Sequence, residues 1–396
     1  MPKKAFETFR NLSIFAYGTF AFIAGTLSII LLERGMNLAE VGLYFALYSA
    51  SVFLLEVPSG AFADAYGRKK AIVLGFILQA AFLAGFIFLP IGPIFVAFAF
   101  IVAAADALLS GSTEAHAVDM LYERGKTDYT HKLLSSARGW QYTILLAGSI
   151  IGGYLATFSV SYALALCLLS AIGGFFYSLL FLTEASRKKE FAKVEHAIYA
   201  NIARAVAGAR GNTSLRSVYF LSFCFGLATF GLFSYWQPVM AGLAGWGTDA
   251  LGAFFALFSL IVIIASKFSH KLSPNIRAAS LMAIGMAALL FASSIAPAAL
   301  LVAAIILFWE ALWGAYIPLD STIINQNTES SFRATAISVN NMIFRLGWVV
   351  MGGVVLLFGV SEPRAYWLAG SVLLFLGAAA VFLLARDGPQ ARLLPK

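Results

Sequence analysis

Charge is scarce in this chain. Only 12% of its 396 residues are charged, where soluble domains carry about a quarter, so a compact fold bathed in water is excluded. Cysteine is nearly missing as well: Cys167 and Cys224 stand alone, both inside apolar runs, too few for a disulfide framework or a metal cluster. Histidine occurs four times. No H-E-x-x-H, G-x-S-x-G, phosphate loop or Cys/His ligand spacing is found, so enzymatic chemistry, ATP hydrolysis and a cofactor or metal have no support.

What fills the chain is hydrophobic surface, 61% of residues, with a mean hydropathy of +0.85. Apolar stretches of about 20 residues, each long enough to cross about 30 Å of hydrocarbon as a helix, recur between short polar breaks. Twelve are read, near 8–32, 38–63, 71–90, 93–122, 134–157, 160–183, 216–238, 248–268, 278–295, 298–325, 335–359 and 364–385. About ten residues precede the first and no small-residue cleavage site follows it, so a retained helix is expected rather than a signal peptide. The net charge of +8 invites a nucleic-acid partner, but its placement reports topology. With the N-terminus inside, 24 of the 27 basic residues fall on the inner side, Arg34 and Arg364 fall outside and Arg345 within a span, as the positive-inside rule requires. The partners expected are a lipid bilayer and a small-molecule substrate, with no nucleic acid.

Between the second and third apolar runs stands Gly60-Ala-Phe-Ala-Asp64-Ala-Tyr-Gly67-Arg68-Lys69-Lys70. Gly60 and Gly67 permit close packing and a tight turn, and Asp64 and Arg68 form a charged latch at the inner surface. The stretch resembles the signature loop of the major facilitator superfamily of transporters, G-x-x-x-D-x-x-G-R-[KR], which lies between the second and third membrane helices. The halves of the chain also echo each other, Asp106-Ala-Leu against Glu310-Ala-Leu and Gly152-Gly153 against Gly352-Gly353, as two related bundles would leave. The resemblance implies an all-α membrane protein of twelve helices in two pseudo-symmetric six-helix bundles, both termini cytoplasmic, that rock about a central site. The bundles are expected at 1–183 and 216–396, joined by a basic amphipathic linker at 184–215 that lies on the inner leaflet. It further implies a gate in which Asp64 caps the start of span eleven and Arg68 pairs with an acid at the inner end of span four, for which Asp119 is the candidate, with Arg138 extending the network. A structural turn carrying inside charges is the plainer alternative. The matching loop of the second half, Ser269 to Pro274, lacks the pattern.

Acids in spans are costly and are functional hypotheses by default. Asp106 and Glu310 lie about 13 and 12 residues from the outer ends of spans four and ten, near mid-membrane. The resemblance makes spans one, four, seven and ten the walls of the central cavity, so both acids are candidates for loading and releasing protons, or for binding a cationic substrate, or for plain structural bonding. Glu56 and Asp320 complete the coupling candidates. Arg345, about ten residues into span eleven, needs an anion at that depth; Glu56 is the first choice, Asp320 the competitor and a substrate anion the third.

Span five reads Gly139-x8-Gly148-x3-Gly152-Gly153, similar to the antiporter motif of drug-exporting facilitators, although Gly153 replaces its proline and Ala156-Thr157 its closing glycines. Simple helix packing is the equal alternative. The arginine that drug/proton antiporters carry in span four is absent near Gly111. Tyr17, Tyr235, Trp236, Gln237, Trp309, Trp313 and Tyr316 sit on the expected cavity walls, with Asn340 and Asn341 on span eleven. Such an aromatic cavity with acids suits an organic cation or a mixed polar-apolar molecule. His116 reads as a structural histidine. The expectation is a monomeric multi-pass protein of a bacterial inner membrane, a secondary transporter working by proton-coupled export. Proton-coupled uptake of a metabolite is the alternative, and a non-transporting sensor of the same fold is the alternative of another class.

Overall fold

The computed structural model describes residues 3–90, 92–123, 125–183, 203, 208–329 and 333–384. Thirteen α-helices carry them, with no strand among the described residues. In chain order these are α1 Lys3–Ala21, α2 Leu27–Glu33, α3 Leu38–Tyr66, α4 Arg68–Phe88, α5 Phe95–Tyr122, α6 Thr130–Ala156, α7 Val160–Phe181, α8 Thr213–Ala244, α9 Thr248–Phe268, α10 Ile276–Ile295, α11 Ala299–Gln326, α12 Arg333–Phe358 and α13 Pro363–Leu384. Ten of them, all but α1, α2 and α6, are long and apolar enough to cross a membrane.

Local chemistry sets the boundaries. Asn37 starts α3 with a capping box, its side chain accepting the Glu40 N–H at 3.0 Å while the Glu40 carboxylate accepts the Asn37 N–H at 2.8 Å, which satisfies two orphan donors of the first turn. Gly67 alone separates α3 from α4, at φ +109°, a conformation that a side chain would strain. Pro58, Pro238 and Pro318 stand inside α3, α8 and α11; helices in lipid tolerate them because neighbours re-satisfy the freed backbone.

The described chain forms two compact units. One comprises residues 1–200, 234–263 and 352–361. Within it α3 and α4 pack on α5, α4 packs on α7, and α1 packs on α6 and α7, around a core that includes Ile30, Leu31, Phe82, Phe86, Phe98 and Cys167. The other comprises 201–233, 264–351 and 362–396, where α10 packs on α13 and α11 and the Trp367 indole N–H donates to the Gly231 carbonyl at 2.9 Å. Large apolar side chains such as Phe88, Leu300, Leu357 and Phe358 stay exposed, as helices that face lipid tails require.

One expectation needs correction here. The first apolar run is not a single helix over 8–32: α1 stops at Ala21 and α2 starts at Leu27. Between them the chain makes tighter turns, Ile23 N–H to the Phe20 carbonyl at 3.0 Å and Thr26 N–H to the Ile23 carbonyl at 2.9 Å. The run Phe-Ile-Ala-Gly-Thr has no proline, and its Gly25 is a weak helix former. The expected linker at 184–215 falls mostly outside the described residues.

Candidate functional site

At the end of the first unit where α3 turns into α4, Arg68 opens its guanidinium to two acids. One nitrogen lies 2.9 Å from Asp119 at the end of α5, the other 3.6 Å from Asp64 four residues back. The two residues proposed as partners from the sequence are thus brought together. Lys69 adds a second tie, its ammonium donating to the Leu179 and Leu182 carbonyls at 2.9 and 2.8 Å, where the C-terminus of α7 favours a cation. Gly67 makes the turn as expected, but Gly60 packs against nothing: a Cβ there would enter open space. Its place in the loop is not explained by close packing. His116 is buried in the same region. The side chain of Arg138 lies outside the described residues.

The opposite end of that unit is held by an inserted side chain. In an unbroken helix the Ser28 N–H would donate to the Ala24 carbonyl four residues back. Instead the Gln237 carboxamide from α8 stands in the gap: its Oε1 accepts the Ser28 N–H at 2.7 Å and its Nε2 donates to the Ala24 carbonyl at 3.1 Å. A side-chain amide has replaced a peptide group in the ladder. The Ser28 hydroxyl also donates to the Ser234 carbonyl at 2.9 Å.

Glycines allow close packing at the same end. A Cβ on Gly25 would meet Gly252 of α9, one on Gly153 would meet Gly252 and the Thr248 carbonyl, and one on Gly152 would collide with the Phe22 carbonyl. Gly42 of α3 lies under the Tyr235 ring, and Gly352 of α12 abuts Ala46. Gly148, Gly152 and Gly153 of span five are therefore packing surfaces for the helix break and for α9, whereas a Cβ on Gly139 would meet nothing. Trp236 sits among Phe254, Phe255 and Phe258 of α9, its ring 5.1 Å from that of Phe258. Tyr235, Trp236 and Gln237 thus pack within this end of the unit.

Asp106, on α5, is half-buried and accepts a hydrogen bond from the Tyr48 hydroxyl of α3 at 2.8 Å. Tyr44, one turn earlier, is close enough to feel the same carboxylate. Glu56 on α3 and Arg345 on α12 are both half-buried, and Tyr17 of α1 is 37% exposed. Glu310 on α11 is 3% exposed, and its Oε1 has no hydrogen-bond partner.

The second unit contains a cavity of about 230 Å³. Phe225 of α8, Trp313, Tyr316 and Asp320 of α11, and Asn340 and Phe344 of α12 form most of its wall, and Asn341 reaches it too. The helical spacing 309, 313, 316 and 320 puts Trp309, Trp313, Tyr316 and Asp320 on one face of α11. Trp309 stacks on Trp313 at 5.6 Å and Trp313 on Tyr316 at 6.0 Å, nearly parallel, with Phe225 4.5 Å from Tyr316. Asp320 is 8% exposed and takes a hydrogen bond from the Asn340 amide at 2.8 Å, so Asn340 and not Arg345 is its partner. Trp313, Tyr316, Asp320, Asn340 and Asn341 are marked from the sequence. Phe225 and Phe344 are not, although Phe344 follows Asn340 by one helical turn and shares its face. Tyr48 is missed too, because nothing in its own run singles it out before Asp106 is placed opposite.

An all-helical chain, lipid-length helices that keep acids inside them, and a glycine turn latched by Arg68 bear on its relatives. The sequence profile of the Major Facilitator Superfamily matches residues 12–352. The chain belongs to the Major Facilitator Superfamily. It is similar to a protein described as the uncharacterized MFS-type transporter YxaM of Bacillus subtilis (strain 168), 25% identical over 363 residues, 89% of this chain and 87% of the relative. Among solved structures it resembles a mutant form of the nucleoside transporter NupG, with TM-score 0.80 and 14% identity over 96% of this chain and all of the other. It also resembles a D-xylose-proton symporter, with TM-score 0.71 and 16% identity over 97% of each chain. Superfamily members are transporters rather than enzymes, and this chain is a multi-pass membrane protein with their fold.

Proposed function

We propose that the protein is a secondary active transporter that moves a small organic molecule across a bacterial inner membrane by alternating access, with protons driving export. The observation that carries this reading is the set of acids kept within lipid-length helices. Asp106 accepts a hydrogen bond from Tyr48, while Glu310 and Asp320 are nearly fully buried, Glu310 with an oxygen that has no hydrogen-bond partner. Carboxyl groups cost several kcal/mol in such places, and a chain that only needed to span lipid would have no reason to keep them. Groups that exchange a proton or a cargo with the cavity give that reason.

The topology that goes with this reading has twelve spans, α1 and α2 together making the first and α6 the fifth, both termini on the cytoplasmic side, and six-helix bundles at 1–183 and 216–396 with 184–215 between them. On that topology the Arg68 latch lies inside, and the end stapled by Gln237 lies outside and is shut. Asp64, Arg68 and Asp119 then bias which side opens, and a single copy of the chain suffices.

The test is collapse of a proton gradient, reported by a dye, in inside-out vesicles challenged with organic cations, zwitterions and acids. Collapse with the wild type and none with an Asp106→Asn/Glu310→Gln double variant is the result expected of proton antiport. Full collapse by the double variant would remove the coupling role of these acids. Uptake with protons is the second reading, favoured by the missing span-four arginine near Gly111 and by the likeness in fold to a D-xylose-proton symporter. It predicts acidification in vesicles of the opposite orientation.

A further inference from the structure

Two acceptor oxygens at the cavity of the second unit, Asp320 Oδ1 and Asn340 Oδ1, lack a close hydrogen-bond donor, and the Tyr316 hydroxyl lies beside the Asp320 carboxylate. The three residues are 8%, 6% and 3% exposed. Buried polar atoms are nearly always satisfied, and each exception asks for a reason. The kind of atom matters here. The Asn340 amide donates its N–H to Asp320 Oδ2 at 2.8 Å, which fixes the amide orientation and leaves its carbonyl oxygen as a pure acceptor. An ionised Asp320 also only accepts. The Tyr316 hydroxyl, near enough to feel Asp320, can turn its proton toward that carboxylate and still accept through its oxygen. What would complete this cluster is a group that brings several N–H donors and a positive charge.

The protein supplies none of its own, because no lysine, arginine or histidine lines the cavity among the described residues. The remaining wall is aromatic. Trp313 and Tyr316 lie almost parallel at 11°, Phe225 is tilted against both at 5.4 and 4.5 Å, and Phe344 closes the side 6.1 Å from Trp313. Ring faces attract cations and stack on flat apolar groups. A volume of about 230 Å³ is below the roughly 300–1,000 Å³ of sites for drug-sized ligands. An anion would meet Asp320 with no compensating charge. A polyol would find too few donors for its many oxygens.

We infer that this cavity binds a small primary ammonium or guanidinium ion carrying one flat apolar group, its nitrogen on Asp320, Asn340 and Tyr316 and its apolar part between Phe225, Trp313 and Phe344. The inference rests on the transporter reading by naming the cargo class of that site, but its test needs no flux.

Full-length protein in nanodiscs is titrated calorimetrically with 2-phenylethylammonium, phenylguanidinium, neutral 2-phenylethanol, phenylacetate and sodium ion alone. The expected result is saturable binding of the two organic cations, at least tenfold tighter than of the alcohol, with no heat from phenylacetate or sodium. Asp320→Asn, which keeps the shape, weakens the cations at least tenfold and leaves the alcohol unchanged; Tyr316→Phe weakens the cations severalfold. Equal affinity for cation and alcohol in the wild type overturns the inference without any variant. So does saturable binding of sodium alone, which would make the oxygens a metal-ion site. Cation binding with no flux of any compound in vesicles would instead sink the transporter reading and leave the site standing.

Discussion

Replacing Gln237 by alanine tests the role of the inserted carboxamide. The substitution takes away one acceptor and one donor, leaving the Ser28 N–H and the Ala24 carbonyl buried and facing each other across an empty gap. Each unsatisfied buried group costs about 1–3 kcal/mol, so the closed arrangement loses about 2–6 kcal/mol if nothing else moves. Local rearrangement that lets the two groups meet directly recovers part of this, and about 2–3 kcal/mol is a conservative remainder. At about 1.4 kcal/mol per tenfold, the equilibrium shifts about 30- to 150-fold toward the state in which α2 and α8 have parted. A single cysteine at position 234, in a background lacking Cys167 and Cys224, reports the parting through its reaction with a membrane-impermeant maleimide in right-side-out vesicles. Labelling should accelerate at least tenfold with Gln237→Ala, and also with Gln237→Glu, which keeps an acceptor but turns an oxygen toward the Ala24 carbonyl. Equal labelling rates in variants that purify as well as the parent would refute the reasoning.

Three further outcomes follow from the same geometry. Gly252→Val places a branched side chain against Gly153 and the Ser149 carbonyl, so the shut end is wedged apart; faster labelling at position 234 and slower transport are expected, while Gly60→Ala, which enters open space, leaves both unchanged. Arg68→Asp or Asp119→Arg alone should each cut transport at least tenfold by leaving a half-buried charge unpaired, and the double swap should restore a measurable part of it in a radiolabelled-substrate assay. Tyr48→Phe removes a hydrogen bond to the Asp106 carboxylate, a contact worth about 1.5–3 kcal/mol; gradient-driven flux should fall about tenfold or more while binding measured without a gradient changes less than twofold.

Much of the architecture is legible in the sequence because hydrocarbon is a simple solvent. Helix length is written along the chain, and the resemblance carried by the Gly60–Lys70 motif implies a pairing of Arg68 with an acid, for which Asp119 is the candidate, before the fold is known. The aromatic face of α11 is readable for a similar reason, since tryptophans, a tyrosine and an aspartate recur at helical spacing. The break between α1 and α2 is not readable. Its open backbone groups are satisfied by a glutamine 209 positions from Ser28, and distant pairing leaves no periodic trace. The cavity is half visible, because an acid in a helix advertises itself whereas Phe225 and Phe344 resemble any other of the 36 phenylalanines. Tyr235, Trp236 and Gln237 stand out along the chain as unusual, yet only packing tells a cavity wall from a shut end.

The inserted glutamine also bears on how the protein is made. Residues 24 and 28 leave the ribosome long before residue 237, so the first part of the chain must enter the membrane with its first apolar run lacking the amide that splits it. In lipid an open pair of backbone groups is too costly to persist, and a continuous helix is the shape that satisfies them. A fragment ending before α8 is therefore expected to hold one straight helix where the finished protein has two. The break is then expected to form late in assembly, once Gln237 is in place, and any treatment that withdraws Gln237 should let the helix become continuous again.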